Sequence, residues 1–217
     1  MKITANVSFL FIFSIVLFSC QSSAEKDKME ASNFFLRGNQ KWKEKEYREA
    51  LKWYNEAIEK NPKLSDAFYN RGLVNIAIDK NDEALHDFEK AVSIDPKFAA
   101  AYRQLGDLYL QNKQLPKALS SYQIALNLDP SQLEAKINEG VVYQEMGELD
   151  LAEKSFKSVL PSKKYEDLIY NNLGYIEIQR KQYETAKKWI QKALYLSPQN
   201  ELYLRNLKRI EDESGLK

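Results

Sequence analysis

Apolar residues are arranged in two ways along the chain. From Val7 to Phe18 they form a run broken only by Ser8 and Ser14. After an abruptly polar stretch, Gln21 to Glu30, small and apolar residues recur instead every 34 positions. Gly38, Gly72, Gly106, Gly140 and Gly174 keep that interval, as do Ala50, Ala84, Ala118, Ala152 and Ala186. Pro62, Pro96, Pro130 and Pro198 keep it too, with Lys164 in place of the missing member. Self-similarity at a fixed period of roughly 20–50 residues marks a stack of like supersecondary units. Each unit reads as two antiparallel helices of about 14 residues, roughly 21 Å long. Gly and Ala let the two approach, aromatics such as Tyr102 and Tyr122 fill the space beside them, and Pro ends the second helix. No unit buries its apolar stripe alone, so neighbours must stack.

The repeats fall at 31–64, 65–98, 99–132, 133–166 and 167–200. Two departures predict local differences. Arg37, Arg71 and Glu139 stand at the place that Leu105 and Leu173 hold in the other two repeats, so their stems are expected to pack with the heads in solvent. In the fourth repeat Pro161 comes three residues early, so the second helix should stop near Leu160 and the joint after it should be irregular. Beyond Pro198, Leu202, Leu204, Leu207 and Ile210 are expected to form one stripe of a capping helix within 201–217.

The pattern resembles the tetratricopeptide repeat across residues 31–200. Its aromatic near each repeat start is Phe34, Phe68, Tyr102 and Tyr170, with Lys136 in the fourth. Its second-helix aromatic is Tyr54, Phe88, Tyr122 and Phe156, with Ile190 in the fifth. Its second small residue is Ala57, Ala91, Ala125 and Ala193, with Val159 in the fourth. The resemblance implies an all-α fold, a right-handed α-solenoid of five helix-turn-helix repeats with a capping helix. It also implies a concave groove lined by the first helices. Carried onto this sequence, the groove positions are Phe35, Asn39, Trp42, Tyr69, Asn70, Arg103, Gln104, Ile137, Asn138, Val141, Asn171, Asn172 and Tyr175. Asn70, Gln104, Asn138 and Asn172 make a ladder of amides, each able to donate and accept toward an extended backbone. The expected partner is therefore a protein segment that presents apolar side chains. Family members that clamp a chaperone's C-terminal carboxylate use lysines or arginines beside two asparagines. Asn39 and Asn70 match, but Phe35, Ala100 and Gln104 replace the cations, so that clamp is not expected.

The N-terminal run is too short to span a bilayer, which takes about 20 apolar residues, and fits a secretory signal over 1–19. Leu17, Ser19 and Cys20 resemble a bacterial lipobox, with Phe18 departing from it. That resemblance implies cleavage before Cys20 and its acylation, followed by a flexible tether over 20–30. Two acyl chains or more hold a protein stably on a membrane. Gln21 after the cysteine favours the outer membrane, facing the periplasm. In plan the chain is similar to two envelope lipoprotein classes, the pilotins of type IV pilus secretins and the repeat lipoprotein of outer-membrane barrel assembly.

Composition narrows the chemistry. The chain is 44% hydrophobic and 29% charged, which excludes a mainly disordered protein. Lys and Arg number 32 against 31 Asp and Glu, so there is no cationic surplus for nucleic acid. One Cys excludes a disulfide framework or a Cys-rich zinc site. The single His86 cannot form a site that needs two. No cofactor and no metal are expected. The favoured reading is a non-enzymatic scaffold anchored by lipid. An envelope enzyme or enzyme activator, and a soluble scaffold if Cys20 goes unused, are the alternatives.

Overall fold

The computed structural model describes residues 5–215, with side chains from Ser23 onward. Cys20 and the apolar run before it therefore lie outside the residues whose side chains are described. The chain divides into two compact units, Met1–Lys97 and Phe98–Lys217. The first holds α1 (Ala5–Lys43), α2 (Tyr47–Lys60), α3 (Ser65–Ala77) and α4 (Asn81–Ile94). The second holds α5 (Ala99–Gln111), α6 (Leu115–Leu128), α7 (Leu133–Glu145), α8 (Leu149–Val159), α9 (Glu166–Gln179), α10 (Tyr183–Leu196) and α11 (Glu201–Ser214). Within the units the helices pair two by two, α1 with α2, α3 with α4, α5 with α6, α7 with α8 and α9 with α10. Among the described residues no strand occurs, and no helix is long and apolar enough to cross a membrane.

Each pair closes on the expected small-on-large contact. A methyl group built on Gly38 would lie 2.5 Å from Tyr54 Cε1, and one on Gly106 2.5 Å from Tyr122 Cε1. Tyr54, Phe88, Tyr122 and Phe156 are fully buried, together with the alanines that flank them. In the first unit Ala50, Tyr54 and Val74 form a core cluster with Phe35, Trp42, Tyr47 and Leu51 against it. In the second, Phe156, Val159, Ile169, Leu173 and Ile176 lie in a larger cluster.

The turn inside each repeat uses one left-handed residue, again at 34-residue spacing: Lys45, Asp79, Lys113, Gly147 and Lys181. The next N–H then reaches back five residues, as Gln182 N does to Glu177 O at 2.8 Å, which satisfies an otherwise orphan carbonyl. Gly147 suits that conformation best, and Asp79 better than the three lysines. A side chain there costs about 1–2 kcal/mol, against about 0.5–1 kcal/mol of extra chain entropy for Gly. Lys181→Gly should therefore stabilise the protein by up to about 1 kcal/mol, read as a rise in Tm. An unchanged or lower Tm would contradict this account.

The fourth repeat ends as its early proline predicts. After α8 a 3-10 turn covers Leu160–Ser162, and Lys163 and Tyr165 are left-handed. Ser162 Oγ donates to Val159 O at 2.8 Å, and Tyr165 reaches back to hydrogen-bond Glu134.

Three expectations are corrected. The supposed tether is not a flexible coil, because residues 23–30 belong to α1. Glu25, Lys26, Lys28 and Met29 are good helix formers, and Lys60 of α2 bridges Asp27 and Glu30 at 3.6 and 2.7 Å. The stripe of α11 is Tyr203, Asn206, Leu207 and Ile210, while Leu202 and Leu204 stay 45% and 46% exposed. Residues two apart point to opposite sides of a helix, so Leu202 and Leu204 cannot share its buried side. The heads of Arg71 and Glu139 are not in solvent. Arg71 grips buried Asp87, with Nε to Oδ2 at 3.0 Å and Nη2 to Oδ1 at 2.5 Å, and Glu139 is buried, accepting from Ser155 and Lys136. Only Arg37 is exposed, its guanidinium 4.9 Å from the Trp53 ring centre.

Candidate functional site

The first helix of each pair presents the residues that the repeat pattern assigns to a groove. In the first unit these are on α1 and α3. Phe35 lies 6.0 Å from Tyr54 and Trp42 5.4 Å from Tyr47, ring centre to ring centre, so both are partly spent on the core. Tyr69 packs 5.7 Å from Phe88. Asn39 Oδ1 accepts two hydrogen bonds, from Tyr54 Oη at 2.8 Å and from Asn70 Nδ2 at 2.7 Å. The first rung of the amide ladder therefore braces one helix against the next.

The second unit repeats this device. Asp107 Oδ1 accepts from Tyr122 Oη at 2.7 Å and from Asn138 Nδ2 at 2.8 Å, and its other oxygen takes Arg103 at 3.1 Å. Burial pushes the Tyr54 hydroxyl up to about 12, and burial with the Asp107 charge raises that of Tyr122 further. Both hydroxyls thus stay protonated and donate at neutral pH. The device has a period of two repeats, 68 residues. Tyr54 and Tyr122 alternate with Phe88 and Phe156, which lack a hydroxyl, and Asn39 and Asp107 alternate with Leu73 and Val141. The sequence carried this signal in the alternation of Tyr and Phe.

The thirteen groove positions therefore separate. Ile137 is 4% exposed and packs in the core beside Phe156, and Asn171 is 3% exposed and accepts from Asn206 Nδ2 at 2.8 Å. Neither is available to a ligand, because later helices cover each, α8 and α9 over Ile137 and α11 over Asn171. Val141 is half-buried against the same cluster. Asn70 and Asn138 spend an N–H internally. Gln104 and Asn172, half-exposed, make no side-chain hydrogen bond among the described residues. Tyr175 is half-exposed with the Arg209 guanidinium 5.7 Å from its ring centre. Asn206 and Arg209 stand 34 positions after Asn172 and Tyr175, so α11 extends this face as a further first helix. That register was present in the sequence but hidden once α11 was read as a cap alone.

Other polar side chains brace the helices within each unit. Arg71 also donates to Asn55 at 2.7 Å, and Asn75 to Asp87 at 3.0 Å. Arg180 joins Glu153 and Glu177 at 2.7 and 2.9 Å and also meets Asp150. Hydrogen bonds from Lys157 and Arg180 hold the Glu153 carboxyl below the usual range. His86 is exposed on α4, and among the described residues no group of His, Cys, Asp and Glu could hold a metal ion.

Known proteins agree with this architecture. Tetratricopeptide-repeat profiles match residues 38–79, 65–98, 88–120 and 168–200, together more than half of the chain. Among curated proteins no sequence matches. Solved structures do. The chain is similar to YrrB, a TPR protein with an unusual peptide-binding site, at 25% identity and a TM-score of 0.76, over 87% of this chain and 97% of that one. A tetratricopeptide repeat protein from Parabacteroides merdae gives 18% identity and a TM-score of 0.77, over 86% and 74%. Pseudomonas aeruginosa PilF gives 13% identity and a TM-score of 0.65, over 88% and 95%. The last two likenesses concern the fold alone.

Proposed function

The chain belongs to the tetratricopeptide-repeat family, and we propose that it is a non-enzymatic scaffold that holds a protein segment against its first helices. The observation that carries this reading is the pairing of Asn172, whose amide has no side-chain hydrogen bond among the described residues, with Tyr175 on the same helix. An amide that can donate and accept suits a peptide backbone, and an aromatic beside it suits an apolar side chain. The peptide-binding site of YrrB, built on the same repeat, supports it. Tyr175→Ala with Asn172→Ala should weaken a partner captured from detergent-solubilised membranes by about 2 kcal/mol or more, roughly thirty-fold. Lys90→Ala with Lys154→Ala, both exposed on second helices, should leave capture unchanged. Loss of the partner on changing the lysines alone would place the contact elsewhere.

The scaffold works from a membrane, tethered through lipid on Cys20 after removal of residues 1–19. The motive is the run Val7–Phe18 ending in Leu17, Phe18, Ser19 and the only cysteine. With α1 helical from residue 23, the link from anchor to repeats is a short stiff spacer. Such a protein serves an envelope assembly or secretion machine, with the outer membrane favoured by Gln21. Wild-type cells fed radioactive palmitate should label the protein, and Cys20→Ser should abolish the label and release mature protein or leave uncut precursor. Equal labelling of the two would end the lipid reading and leave the binding face untouched.

A further inference from the structure

The outer face of α10 is rich in lysine and aromatic side chains. Lys188, Trp189, Lys192, Tyr195 and Leu196 share one side of it, and Tyr195 is 86% exposed and Leu196 46%. Trp189 stacks on Tyr170 with ring centres 5.7 Å apart, and Lys192 Nζ sits 4.3 Å from the Trp189 ring centre and 5.6 Å from that of Tyr170. Thr185, Lys188, Trp189, Gln191, Lys192 and Tyr195 line a shallow depression of about 500 Å³ with no carboxylate among them. The nearest acid along the helix is Glu184, one turn before Lys188. In the first repeat the same place holds Trp53, stacked on Phe34 beneath Lys52, but Glu56 and Glu59 stand where α10 has Lys192 and Tyr195; in the three repeats between, the place is taken by Asp87, Ser121 and Ser155, which are buried.

We propose that this face docks on an anionic lipid surface. Lysines attract anionic headgroups, and aromatic rings with a polar edge settle at headgroup level with apolar neighbours beside them. The lysine stem over Trp189 keeps apolar surface next to the charge. A peptide would need several backbone partners, and besides the ring edges of Trp189 and Tyr195 only Thr185 and Gln191 offer neutral polar groups here. Docking of α10 does not depend on Cys20. Where the anchor is also present, the two act as the pair of signals that stable membrane attachment takes.

The test is flotation of the purified full chain with vesicles of phosphatidylcholine alone or with about a third phosphatidylglycerol. The apolar N-terminal segment or an acyl group contributes to both vesicle types, so the ratio between them isolates the α10 face. Each lysine near an anionic surface is worth roughly five-fold. The ratio should therefore favour anionic vesicles by about ten-fold or more, collapse with salt, and fall to near one in Lys188→Glu/Lys192→Glu. Tyr195→Ala, which removes no charge and no buried contact, should lower binding to anionic vesicles several-fold. Equal binding to the two vesicle types, or a preference kept by the double variant, would overturn the proposal. So would loss of binding to polyglutamate in that variant with the vesicle preference intact, since the face would then take acidic protein.

Discussion

Arg71→Leu is expected to destabilise the protein by about 3–5 kcal/mol, the cost of stripping the partner from a buried carboxylate. Asp87 is 2% exposed, and its two oxygens receive three hydrogen bonds from Arg71 and one from Asn75. Without the guanidinium one neutral donor is left for a desolvated charge. The third repeat shows the remedy. At the places of Arg71 and Asp87 it carries Leu105, which is buried, and Ser121, whose Oγ is satisfied by the Lys117 carbonyl at 2.9 Å. The double variant Arg71→Leu/Asp87→Ser should therefore regain most of the loss, since replacing a buried ion pair by packed neutral residues is often close to neutral. Denaturant unfolding of wild type, single and double variant decides it. A double variant no more stable than the single would show that the ion pair does something a leucine and a serine cannot.

That pair also shows where sequence reasoning runs out. Position in the repeat told that Arg71 and Glu139 stood in place of an aliphatic residue. What it did not tell was that each has its partner 16 positions on, Asp87 and Ser155, across the helix pair. A register gives the azimuth of a residue on its own helix, whereas burial depends on what the next helix lays over it. Asn171 and Asn172 are neighbours of the same type, yet Asn206 takes the first and leaves the second available. Ile137 was placed in the groove for the same reason and lies instead against Phe156. The polar stretch before the repeats misled in a different way. Composition rich in Glu and Lys suits a solvated coil and an exposed helix equally, and only Lys60, thirty positions on, decides between them.

The contacts that were legible are those in which two residue types repeat together, and they carry the second large effect. Phe156→Ala should cost about 3–5 kcal/mol, as large aromatics removed from a packed core do. Phe156 is fully buried in the cluster of Val159, Ile169, Leu173 and Ile176. Gly140 faces it, and a methyl group built there would lie 2.7 Å from Phe156 Cε1 and 3.0 Å from Cδ1. The ring is held on all sides, so Gly140→Ala alone overpacks the pair, by about 1–3 kcal/mol. It gains about 1 kcal/mol of helix propensity in return, and the net effect is a loss. Once Phe156 is Ala the obstacle is gone and only the propensity remains, with the new methyl filling part of the cavity. Gly140→Ala should then stabilise by about 1 kcal/mol. The substitution thus changes sign between the two backgrounds, a coupling that residues in direct contact show and distant ones do not. Four chemical-denaturation curves measure it. If Gly140→Ala proved equally costly with and without the ring, the glycine would be there for something other than the close approach of α7 to α8.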